Sequence, residues 1–528
     1  MNQPLEMHTA FERAIEVMEE SYDHLFITGK AGTGKSTLLE YFCDNTDKHP
    51  VVLAPTGVAA MNVKGQTIHS FFNFYMDITP QKVANGEVKV SQKSRDLYEC
   101  LQTIVIDEVS MVRADLLDCI DQMLRRYGPQ PTQPFGGVQM IFVGDLYQLP
   151  PVVKHNERQL FSKHYQTPYF FSAQVMESLP LEHIELEKVY RQKNGEFITL
   201  LNRIRNNTVQ DTDIERLNSR YCSDDDVPLS SEYRIHLTTT NRKADEINAK
   251  HLSELKDKTM KSRARITGLI GKEYYPTAEE LSYKVGAQIM LLNNDQQRRW
   301  VNGSIAKIKA IKKDKHGTQY LKIQLEDNQE KFLLYPYTWE MYQFKLKKNA
   351  IISEPIGTFT QYPMRLAWAI TIHKSQGKTF EHVIFDVDRG TFASGQIYVA
   401  LSRCTTFEGI ILKAPIKKEH IRTDYLIVKF LTDYHYKKSE AAQPLTEKIA
   451  LLELAIENNQ PLRMAYLQGD NRKSVRKIQP ISIGEKTYRG NAFHGLSAYC
   501  YELQSERIFS VKKILLLTPI DGDDEAVK

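Results

Sequence analysis

The residues best suited to chemistry begin at Gly29, where the sequence reads G-x-x-x-x-G-K-S through Ser36. An apolar run precedes this stretch and a segment of helical period follows it, which is the context of a phosphate-binding loop. Backbone N–H groups of such a loop wrap phosphates, while the lysine neutralises the β- and γ-phosphates and the serine ligates Mg²⁺. The predicted nucleotide-binding residues are Gly29, Ala31, Gly32, Thr33, Gly34, Lys35, Ser36 and Thr37.

Two carboxylates and one amide are placed to complete such a site. Asp107 and Glu108 follow an apolar run, and Gln148 follows the next one along the chain. Because ligands gather at the carboxyl ends of parallel strands, we expect Asp107 to hold Mg²⁺ with Ser36 and Glu108 to orient or deprotonate water. Gln148 is a candidate sensor of the γ-phosphate. The alternative is that Asp107 and Glu108 are solvent-exposed acids at a strand end without a catalytic role. With the loop upstream, the set predicts an NTPase that uses ATP and Mg²⁺, without saying which kind.

The elements that must position these residues alternate between short apolar runs and helical segments. Runs at residues 25–28, 51–54, 103–106 and 140–143 predict one parallel sheet covered by helices, and runs at residues 235–239, 369–372, 383–385 and 409–413 predict another. Residues of about 250–360 contain strand-like segments separated by turns. The sequence therefore predicts two α/β domains, with a small β-barrel inserted in the second.

Seven motifs occur in a fixed order along both predicted domains. They are LAPTGVAA (53–60), TIHSFF (67–72), VIDEVSMV (105–112), FVGDLYQLPPV (142–152), VYRQ (189–192), AITIHKSQGKTF (369–380) and VALSRC (399–404). In this order they resemble the PIF-type helicases of superfamily 1B, relatives of the RecD-type enzymes, over roughly residues 20–415. Residues 108–126 also resemble the signature helix of this family.

The resemblance implies an α/β fold with two RecA-like P-loop domains and an inserted SH3-like β-barrel, and the pattern of the C-terminal region adds a small β-rich domain. The first RecA-like domain covers residues 1–180, with a wedge insertion at about 62–100, and the second covers residues 181–250 and 360–435. The SH3-like domain covers residues 251–359. A linker at residues 436–446 and a domain at residues 447–520 follow.

The resemblance also implies further site residues. Arg191 and Arg403 approach the γ-phosphate from the second domain, where a guanidinium stabilises charge on the transferring oxygens. Tyr190, Gln376 and Gly377 complete the nucleotide site. The residues implied to contact nucleic acid are Thr56, Gly57, His69, Pro150, Thr239, Asn241, His373 and Lys374. For both histidines of this set, a structural role is the alternative.

In two segments the resemblance does not decide which role the residues have. Within residues 284–304, Arg298, Arg299 and Trp300 either contact a strand by charge and stacking or belong to a loop whose tryptophan packs into the barrel. The helix before the phosphate loop, at residues 8–14, lacks the glutamine by which this family reads adenine. Gln3 is the candidate substitute, so preference for ATP over other nucleotides is not fixed by the sequence.

The C-terminal region has its own pattern. Polar residues 434–443 and Pro444 predict the linker. Residues 460–515 resemble the WYL domain, a small barrel of bacterial nucleic-acid-linked regulators. Aromatic and basic residues are interleaved there, so they either hold nucleic acid by stacking and charge or form an ordinary core with exposed cations.

Composition narrows the class of protein. Of the 528 residues 41% are hydrophobic and 25% are charged, and no apolar run is long enough to span a bilayer. The start of the chain lacks the pattern of a signal peptide, which predicts a cytoplasmic protein without membrane partners. With the helicase resemblance, the expected location is bacterial and nucleoid-associated. A net charge of +4 does not by itself indicate nucleic acid, so that prediction depends on the motifs.

The resemblance implies an ATP-dependent DNA helicase that acts as a monomer and moves 5′ to 3′ on single-stranded DNA. Its expected substrates are duplex, forked or structured DNA in repair, recombination, replication or telomere-type maintenance. One alternative is an unwinder of RNA–DNA hybrids, because backbone contacts discriminate poorly between the two kinds of strand. Another is a nucleotide-gated nucleic-acid-binding regulator, which hydrolyses ATP without separating strands.

Overall fold

A computed structural model of the chain describes residues 8–520, apart from residues 31, 154–156, 189–193, 223–233, 269, 298, 327, 348–349, 377, 386–393, 469–472 and 489–490. The chain divides into two compact units, of which the first comprises residues 1–205 and 209–422 and the second residues 206–208 and 423–528. Finer boundaries inside the first unit remain predictions. Within the described residues, no helix has both the length and the apolar character needed to cross a membrane.

The sheet that follows the first set of apolar runs is parallel throughout. Its strands are β1 (His24–Gly29), β2 (Val51–Ala54), β3 (Gln66–Thr67), β4 (Thr103–Ile106), β5 (Gln139–Gly144) and β6 (Leu181–Leu186), in the order β3-β2-β4-β5-β1-β6. Strands β2, β4 and β5 are buried on both faces, as their unbroken apolar runs predict. Strand β6 pairs with β1 along its whole length, so the first sheet extends past the predicted domain boundary at residue 180.

Helices cover this sheet and carry its connections. They are α1 (Thr9–Glu20), α2 (Lys35–Asn45), α3 (Gly57–Asn62), α4 (Ile68–Phe72), α5 (Pro80–Ala84), α6 (Gln92–Glu99), α7 (Ala114–Tyr127) and α8 (Arg158–Phe161). Helix α7 buries carboxylates that anchor neighbouring loops. Asp118 accepts hydrogen bonds from the hydroxyl of Tyr165 at 2.8 Å and from the N–H groups of Gln174 and Val175 at 3.0 and 3.1 Å. These bonds satisfy the buried charge and fix the loops that follow β5.

A β-rich insert separates the strands of the second α/β domain. The chain reaches it through α9 (Gly195–Arg205), α10 (Asp211–Asn218), β7 (Ile235–Thr238) and α11 (Asn241–Glu254). The insert contains β8 (Met260–Arg263), β9 (Arg265–Gly268), β10 (Glu280–Tyr283), β11 (Gln288–Leu291), β12 (Ile305–Lys313), β13 (Gln319–Leu325), β14 (Lys331–Leu334), β15 (Tyr337–Lys347), β16 (Ala350–Gln361) and β17 (Met364–Leu366). Its main sheet has the antiparallel order β14-β13-β12-β11-β17, and the long hairpin of β15 and β16 pairs with β9.

Trp300 belongs to the core of this insert. Its side chain is 6% exposed, and its indole Nε1 donates a hydrogen bond to Oδ1 of Asn293 at 3.2 Å. Arg299 forms a bidentate pair with Asp295 at 2.6 and 2.8 Å. These contacts favour the structural alternative for both residues, and Arg298 lies outside the described residues.

The second parallel sheet combines β7 with strands that follow the insert. These are β18 (Ala369–Thr371), β19 (Val383–Phe385) and β20 (Ile410–Leu412), in the order β18-β7-β19-β20. Helix α12 (Gln396–Leu401) precedes β20 and is buried along its whole length. The second set of apolar runs therefore pairs as predicted.

The second unit is a mixed α and β structure. It contains α13 (Tyr425–Ala442), α14 (Leu445–Glu457), β21 (Leu462–Leu467), β22 (Lys473–Tyr488), β23 (Asn491–Cys500), β24 (Ser505–Ser510) and β25 (Ile514–Pro519). The strands form an antiparallel sheet in the order β24-β23-β22-β21-β25. Phe509 is 4% exposed and contacts Tyr466 edge-to-face, so these aromatic residues serve the core of the unit.

The predicted linker at residues 436–446 is wrong for most of its length, because helix α13 continues to Ala442. The polar side chains that suggested a linker instead bind the edge strand β25. Gln443 donates from Nε2 to the carbonyl of Leu517 at 3.1 Å and accepts from the N–H of Leu517 at 2.8 Å. Ser439 donates to the carbonyl of Leu515 at 2.6 Å. These side chains satisfy backbone groups that an edge strand would otherwise expose.

Candidate nucleotide and nucleic-acid site

The predicted phosphate loop joins β1 to α2. Gly32 and Gly34 have φ angles of 82° and 87°, a left-handed conformation that glycine adopts without strain. A Cβ at Gly29 would lie 2.7 Å from the carbonyl oxygen of Leu186, so the loop passes close to the end of β6. Helix α2 begins at Lys35 and directs the positive end of its dipole to the loop. The local geometry suits a phosphate group.

Lys35 is bound to the backbone of its own loop. Its Nζ donates hydrogen bonds to the carbonyl oxygens of Gly29 at 2.7 Å and Lys30 at 3.1 Å. Burial lowers the pKa of this ammonium, while the charges of Asp145 and Glu108 act in the opposite direction. Because phosphate oxygens carry more negative charge than carbonyls, the ammonium can exchange its present partners for phosphate.

Asp107 and Glu108 follow the carboxyl end of β4. The N–H of Asp107 donates to the carbonyl of Leu53 at 2.9 Å, and its Oδ1 accepts from the N–H of Glu108 at 2.8 Å. Glu108 has φ 51° and ψ 42°, a left-handed conformation that costs a non-glycine residue about 1–2 kcal/mol. Burial raises the pKa of both carboxyls, and the charge of Asp107 raises that of Glu108 further. Backbone strain and a raised pKa together are typical of a functional carboxylate.

Gln148 lies in the turn after β5, and its side chain is 7% exposed. Its Nε2 donates to Oδ2 of Asp145 at 3.3 Å. Asp145 is fully buried and also accepts from the N–H of Tyr147 at 3.2 Å and from Nη2 of Arg205 at 3.4 Å. Neither Asp145 nor Arg205 is among the predicted site residues. The GDLYQLPP motif contains the aspartate and could have indicated it, whereas no local pattern distinguishes Arg205 from the other cations of α9.

Elements of the second sheet contribute to the same site. Gln376 follows β18 and donates from Nε2 to Oε2 of Glu108 at 3.0 Å. Arg403 follows α12, is 1% exposed, and donates from Nε to the carbonyl of Val399 at 2.9 Å. Burial raises the pKa of Glu108, and the charge of Arg403 opposes that rise, so the guanidinium lies within electrostatic reach of the carboxylate. The predicted residues Ala31, Tyr190, Arg191 and Gly377 lie outside the described residues.

Ser36 and Asp107 fit the Mg²⁺ that the sequence predicts. Ser36 is exposed in the first turn of α2, and Asp107 offers a carboxylate at a strand end. Mg²⁺ prefers such oxygen ligands and completes its shell with water and phosphate oxygens. Among the described residues, the one cluster with metal-ligand spacing is Glu326, Glu381 and His382, which shares no residue with this site.

The residues predicted to contact nucleic acid follow the carboxyl ends of strands in both parallel sheets. Thr56 and Gly57 follow β2, His69 follows β3, Pro150 follows β5, Thr239 and Asn241 follow β7, and His373 and Lys374 follow β18. Their side chains are exposed or partly exposed, and Gly57 is buried. Hydroxyl, amide and imidazole groups at such strand ends can hold backbone phosphates without reading bases.

Local contacts constrain some of these side chains. Oγ1 of Thr56 accepts from the N–H of Ala59 at 3.3 Å and so caps helix α3. Burial lowers the pKa of His69 and of His373, which favours the neutral form of both rings. Burial and the charge of Arg365 lower the pKa of Lys374. A neutral imidazole can still donate one hydrogen bond to a phosphate oxygen.

Similar sequences are found among named helicases. Residues 5–215 match the family model of the PIF1-like helicase. The ATP-dependent DNA helicase Pif1 of Campylobacter jejuni is 31% identical over 412 residues, which cover 73% of this chain and 87% of that protein. The ATP-dependent DNA helicase PIF1 of Homo sapiens is 31% identical over 404 residues, and the match spans 57% of that longer protein.

Solved helicase structures resemble the chain as well. The crystal structure of Bacteroides sp Pif1 in complex with ADP-AlF4 matches with a TM-score of 0.75 at 36% identity, covering 81% of this chain and 97% of that one. Bacteroides Pif1 bound to ssDNA matches with a TM-score of 0.57 at 37% identity over the same shares of the two chains. On this similarity in sequence and fold, the chain belongs to the PIF1-like helicase family.

Proposed function

We propose that the chain is an ATP-dependent DNA helicase that moves 5′ to 3′ along single-stranded DNA and separates duplex, forked or structured DNA. One observation carries the proposal: Glu108 follows a strand of the first sheet, and it is contacted by Gln376, which follows a strand of the second. Arg403 adds a charge from the second sheet's domain to the same carboxylate. A nucleotide bound among such residues can couple its hydrolysis to relative movement of two domains.

Each residue of the proposed site has its own task in hydrolysis. Lys35 binds the β- and γ-phosphates. Glu108 accepts a proton from water as the water oxygen bonds to the γ-phosphorus and the bond to the ADP oxygen breaks. Arg403 and Arg191 stabilise the charge on the transferring oxygens, and Gln148 responds to the γ-phosphate. Tyr190 and Gly377 are further proposed contacts of the nucleotide.

Mg²⁺ is part of the proposal, with Ser36 and Asp107 as its protein ligands. When bound, it would neutralise charge on the phosphate oxygens. Ser36 and Asp107 would also fix the position of the phosphates relative to Glu108. Replacing either ligand should therefore weaken nucleotide binding as well as hydrolysis.

Single-stranded DNA is the proposed track, and a monomer is the proposed active form. The relative from Bacteroides has been crystallised bound to ssDNA, which supports this choice of ligand. The proposed contacts are Thr56, Gly57, His69, Pro150, Thr239, Asn241, His373 and Lys374. Their position after strand ends in both sheets would let each sheet hold the strand in turn.

Two finer assignments of fold belong to the proposal. The β-rich insert is proposed to be SH3-like, and the second unit is proposed to be WYL-like. The antiparallel sheet of the second unit supports the latter, as does a cation–aromatic pair on it, where Nζ of the partly exposed Lys477 lies 5.2 Å from the ring centroid of the exposed Tyr501. Such a pair could stack a base and hold its phosphate.

ATP hydrolysis by the purified chain tests the proposed function. Rates would be compared without nucleic acid, with single-stranded DNA and with single-stranded RNA. DNA should raise kcat about tenfold or more, since coupling between two sites is commonly of that size. Arg403→Ala should lower the stimulated rate by roughly 10³-fold, while Arg263→Ala, at an exposed arginine of the insert, should not change it.

Other outcomes of that experiment point elsewhere. Equal stimulation by RNA and DNA would favour an unwinder of RNA–DNA hybrids. Stimulation of hydrolysis by DNA, in a chain that separates no duplex in a separate unwinding assay, would favour a nucleotide-gated regulator. Absence of hydrolysis in the wild-type chain would contradict the proposed function.

A further inference from the structure

Asp145 is a buried charge with an unusually complete set of donors. Its side chain is fully buried directly after β5. Oδ1 accepts from the N–H of Tyr147 at 3.2 Å and from Nη2 of Arg205 at 3.4 Å. Oδ2 accepts from Nε2 of Gln148 at 3.3 Å and from the hydroxyl of Tyr398 at 3.5 Å. A carboxylate removed from water needs such donors, and here one of them is the amide assigned to the γ-phosphate.

Arg205 provides the charge that matches Asp145. It ends helix α9 and is 5% exposed. Its guanidinium lies 4.0 Å above the ring of Tyr147, and Nη1 lies 3.9 Å from Oε1 of Glu185. The guanidinium offsets the charge of the adjacent carboxylate, and removing either partner would leave an uncompensated charge in the interior. Asp145 is therefore held as an acceptor of hydrogen bonds.

The carboxylate of Asp145 determines which way the Gln148 amide faces, because Nε2 of Gln148 donates to Oδ2 at 3.3 Å. A carboxylate only accepts hydrogen bonds, so the NH₂ group of the amide must face it and the amide oxygen must face away. That oxygen, Oε1, is buried and meets no hydrogen-bond donor in the described part of the chain. A buried acceptor without a donor is costly unless a ligand or water supplies one.

We propose that Asp145 and Arg205 are positioning residues for ATP hydrolysis, which fix the amide of Gln148 so that Oε1 accepts a hydrogen bond from the attacking water. This inference rests on the proposed function. The water then presents its oxygen to the γ-phosphorus with one O–H on Gln148 and the other on Glu108, which takes the proton as the bond to the ADP oxygen breaks. Asp145 and Arg205 touch neither water nor phosphate and act through Gln148.

Two partners of Asp145, Arg205 and Tyr398, connect the orientation of the Gln148 amide to the domain of the second sheet. Arg205 ends α9, which follows β6 in the chain, and Tyr398 lies on α12, which precedes β20. Gly395 at the start of α12 approaches the same turn, since a Cβ there would lie 2.6 Å from the carbonyl oxygen of Gln148. Hydrolysis would thus require these elements to be in contact with the turn that carries Gln148.

Steady-state ATP hydrolysis with single-stranded DNA, together with titration of a fluorescent ATP analogue, tests the inference in the full-length chain. Asp145→Asn and Arg205→Gln should each lower kcat by roughly 30-fold or more, with nucleotide affinity within about threefold of wild type, because Lys35 is retained and the loss falls mainly on the orientation of the water. Arg205→Lys keeps the charge and should recover about half of that loss on a logarithmic scale. Arg203→Gln is the matched control on the same helix, since Arg203 pairs with Asp213 at 2.7 Å outside this network, and it should retain the wild-type rate.

The deciding comparison is between single and double variants. Because Asp145 acts through Gln148, Asp145→Asn in a Gln148→Ala background should cost less than about twofold in kcat. Multiplicative losses in the double variant, or a weakened affinity for nucleotide equal to the loss in kcat, would overturn the inference. If Asp145→Asn does not fold, the same comparison with Arg205→Lys decides. A wild-type chain without DNA-stimulated hydrolysis would instead refute the proposed function.

Discussion

Glu108 combines the features that a residue needs to take a proton from water. It follows a buried strand, its backbone is left-handed, and its Oε2 is oriented by the amide of Gln376. Burial raises the pKa of its carboxyl, which brings the group closer to the pH at which a general base is most effective. A substitution that removes the carboxylate and keeps the size of the side chain therefore tests its role.

Glu108→Gln should lower kcat for ATP hydrolysis by about 10²–10⁴-fold, because the amide keeps the size of the side chain and cannot accept the proton. Nucleotide affinity, measured by titration with a fluorescent ATP analogue, should stay close to that of the wild type. Glu99→Gln, at the exposed end of α6, is the matched control and should hydrolyse ATP at the normal rate. A kcat for Glu108→Gln close to the wild-type value would show that another residue is the base.

His24 should make the stability of the first unit depend on pH. Burial lowers its pKa to about 4, and its Nδ1 accepts from the N–H of Met140 at 3.1 Å, which a protonated nitrogen cannot do. An unfolded histidine titrates near 6.5, so its contribution to stability is complete above that pH and is lost as the pH falls toward 4. The loss amounts to about 3 kcal/mol.

His24→Asn should reduce the difference in urea unfolding free energy between about pH 7 and about pH 4.5 by most of that amount. An unchanged difference would contradict this prediction.

Residue-level prediction is most direct where the chemistry is local in the chain. Lys35 and Ser36 could be assigned from one loop, and Asp107 with Glu108 from one strand end, because neighbours in sequence determine their positions. The contact between Arg205 and Asp145 spans 60 positions, and only the folded chain brings the two together. Gln148 could be found from its motif, but the direction of its amide depends on that distant pair.

At the scale of elements, helix α12 and the turn after β5 meet at a glycine. Gly395 has φ 79°, and a Cβ there would lie 2.5 Å from the carbonyl oxygen of Tyr147. Gly317, in a turn of the insert, has a similar φ of 81°, and no atom of the described residues lies within 4 Å of a Cβ placed there. The two positions therefore differ in the space around them and share the same backbone requirement.

Gly395→Ala should reduce both stability and ATP hydrolysis, because the methyl group displaces the turn that carries Gln148. Gly317→Ala, the matched control, should cost only about 1 kcal/mol of unfolding free energy from backbone strain and leave hydrolysis unchanged. Thermal unfolding and steady-state kinetics would be measured on both variants. Equal losses of stability and of hydrolysis rate in the two variants would mean that the contact at Gly395 does not contribute to ATP hydrolysis.

Helix α13 makes a second prediction at this scale. Gln443 pairs with both backbone groups of Leu517, so Gln443→Ala should leave a buried N–H and C=O unsatisfied and cost about 2–4 kcal/mol. Lys437→Ala on the exposed face of the same helix should cost less than about 0.5 kcal/mol. The measurement is chemical unfolding of the second unit within the full chain, monitored by the fluorescence of a dye attached to that unit. Equal losses for the two variants would refute the assigned role of Gln443.

Strands were predicted more reliably than helices with polar faces. The parallel strands are buried on both faces, and their apolar runs stand out in the sequence for that reason. Ser439 of helix α13 and Gln443, which directly follows the helix, have polar groups that are buried because β25 supplies their partners, and this pairing is not visible in the sequence. Trp300 illustrates the converse, since a residue suited to base stacking instead fills the core of the insert.

At the scale of the whole molecule, the family resemblance accounts for the first unit, and the second unit adds to it. Candidate nucleotide-site residues that follow strands of both parallel sheets of the first unit are in contact, since Gln376 donates a hydrogen bond to Glu108. The Bacteroides structure with ADP-AlF4 covers 81% of this chain, so about a fifth has no counterpart there. The assignment of the second unit as WYL-like remains a proposal that depends on its sequence.

Strand separation is the measurement that tests the central claim most directly. Purified protein would be given ATP, Mg²⁺ and short DNA duplexes that carry a single-stranded tail on either the 5′ or the 3′ side, with Lys35→Ala as the control that should not hydrolyse ATP. We predict that wild-type protein separates only the duplex with the 5′ tail and that the control separates neither. DNA-stimulated ATP hydrolysis without separation of either duplex would contradict the assignment as a helicase and favour a nucleotide-gated binding protein.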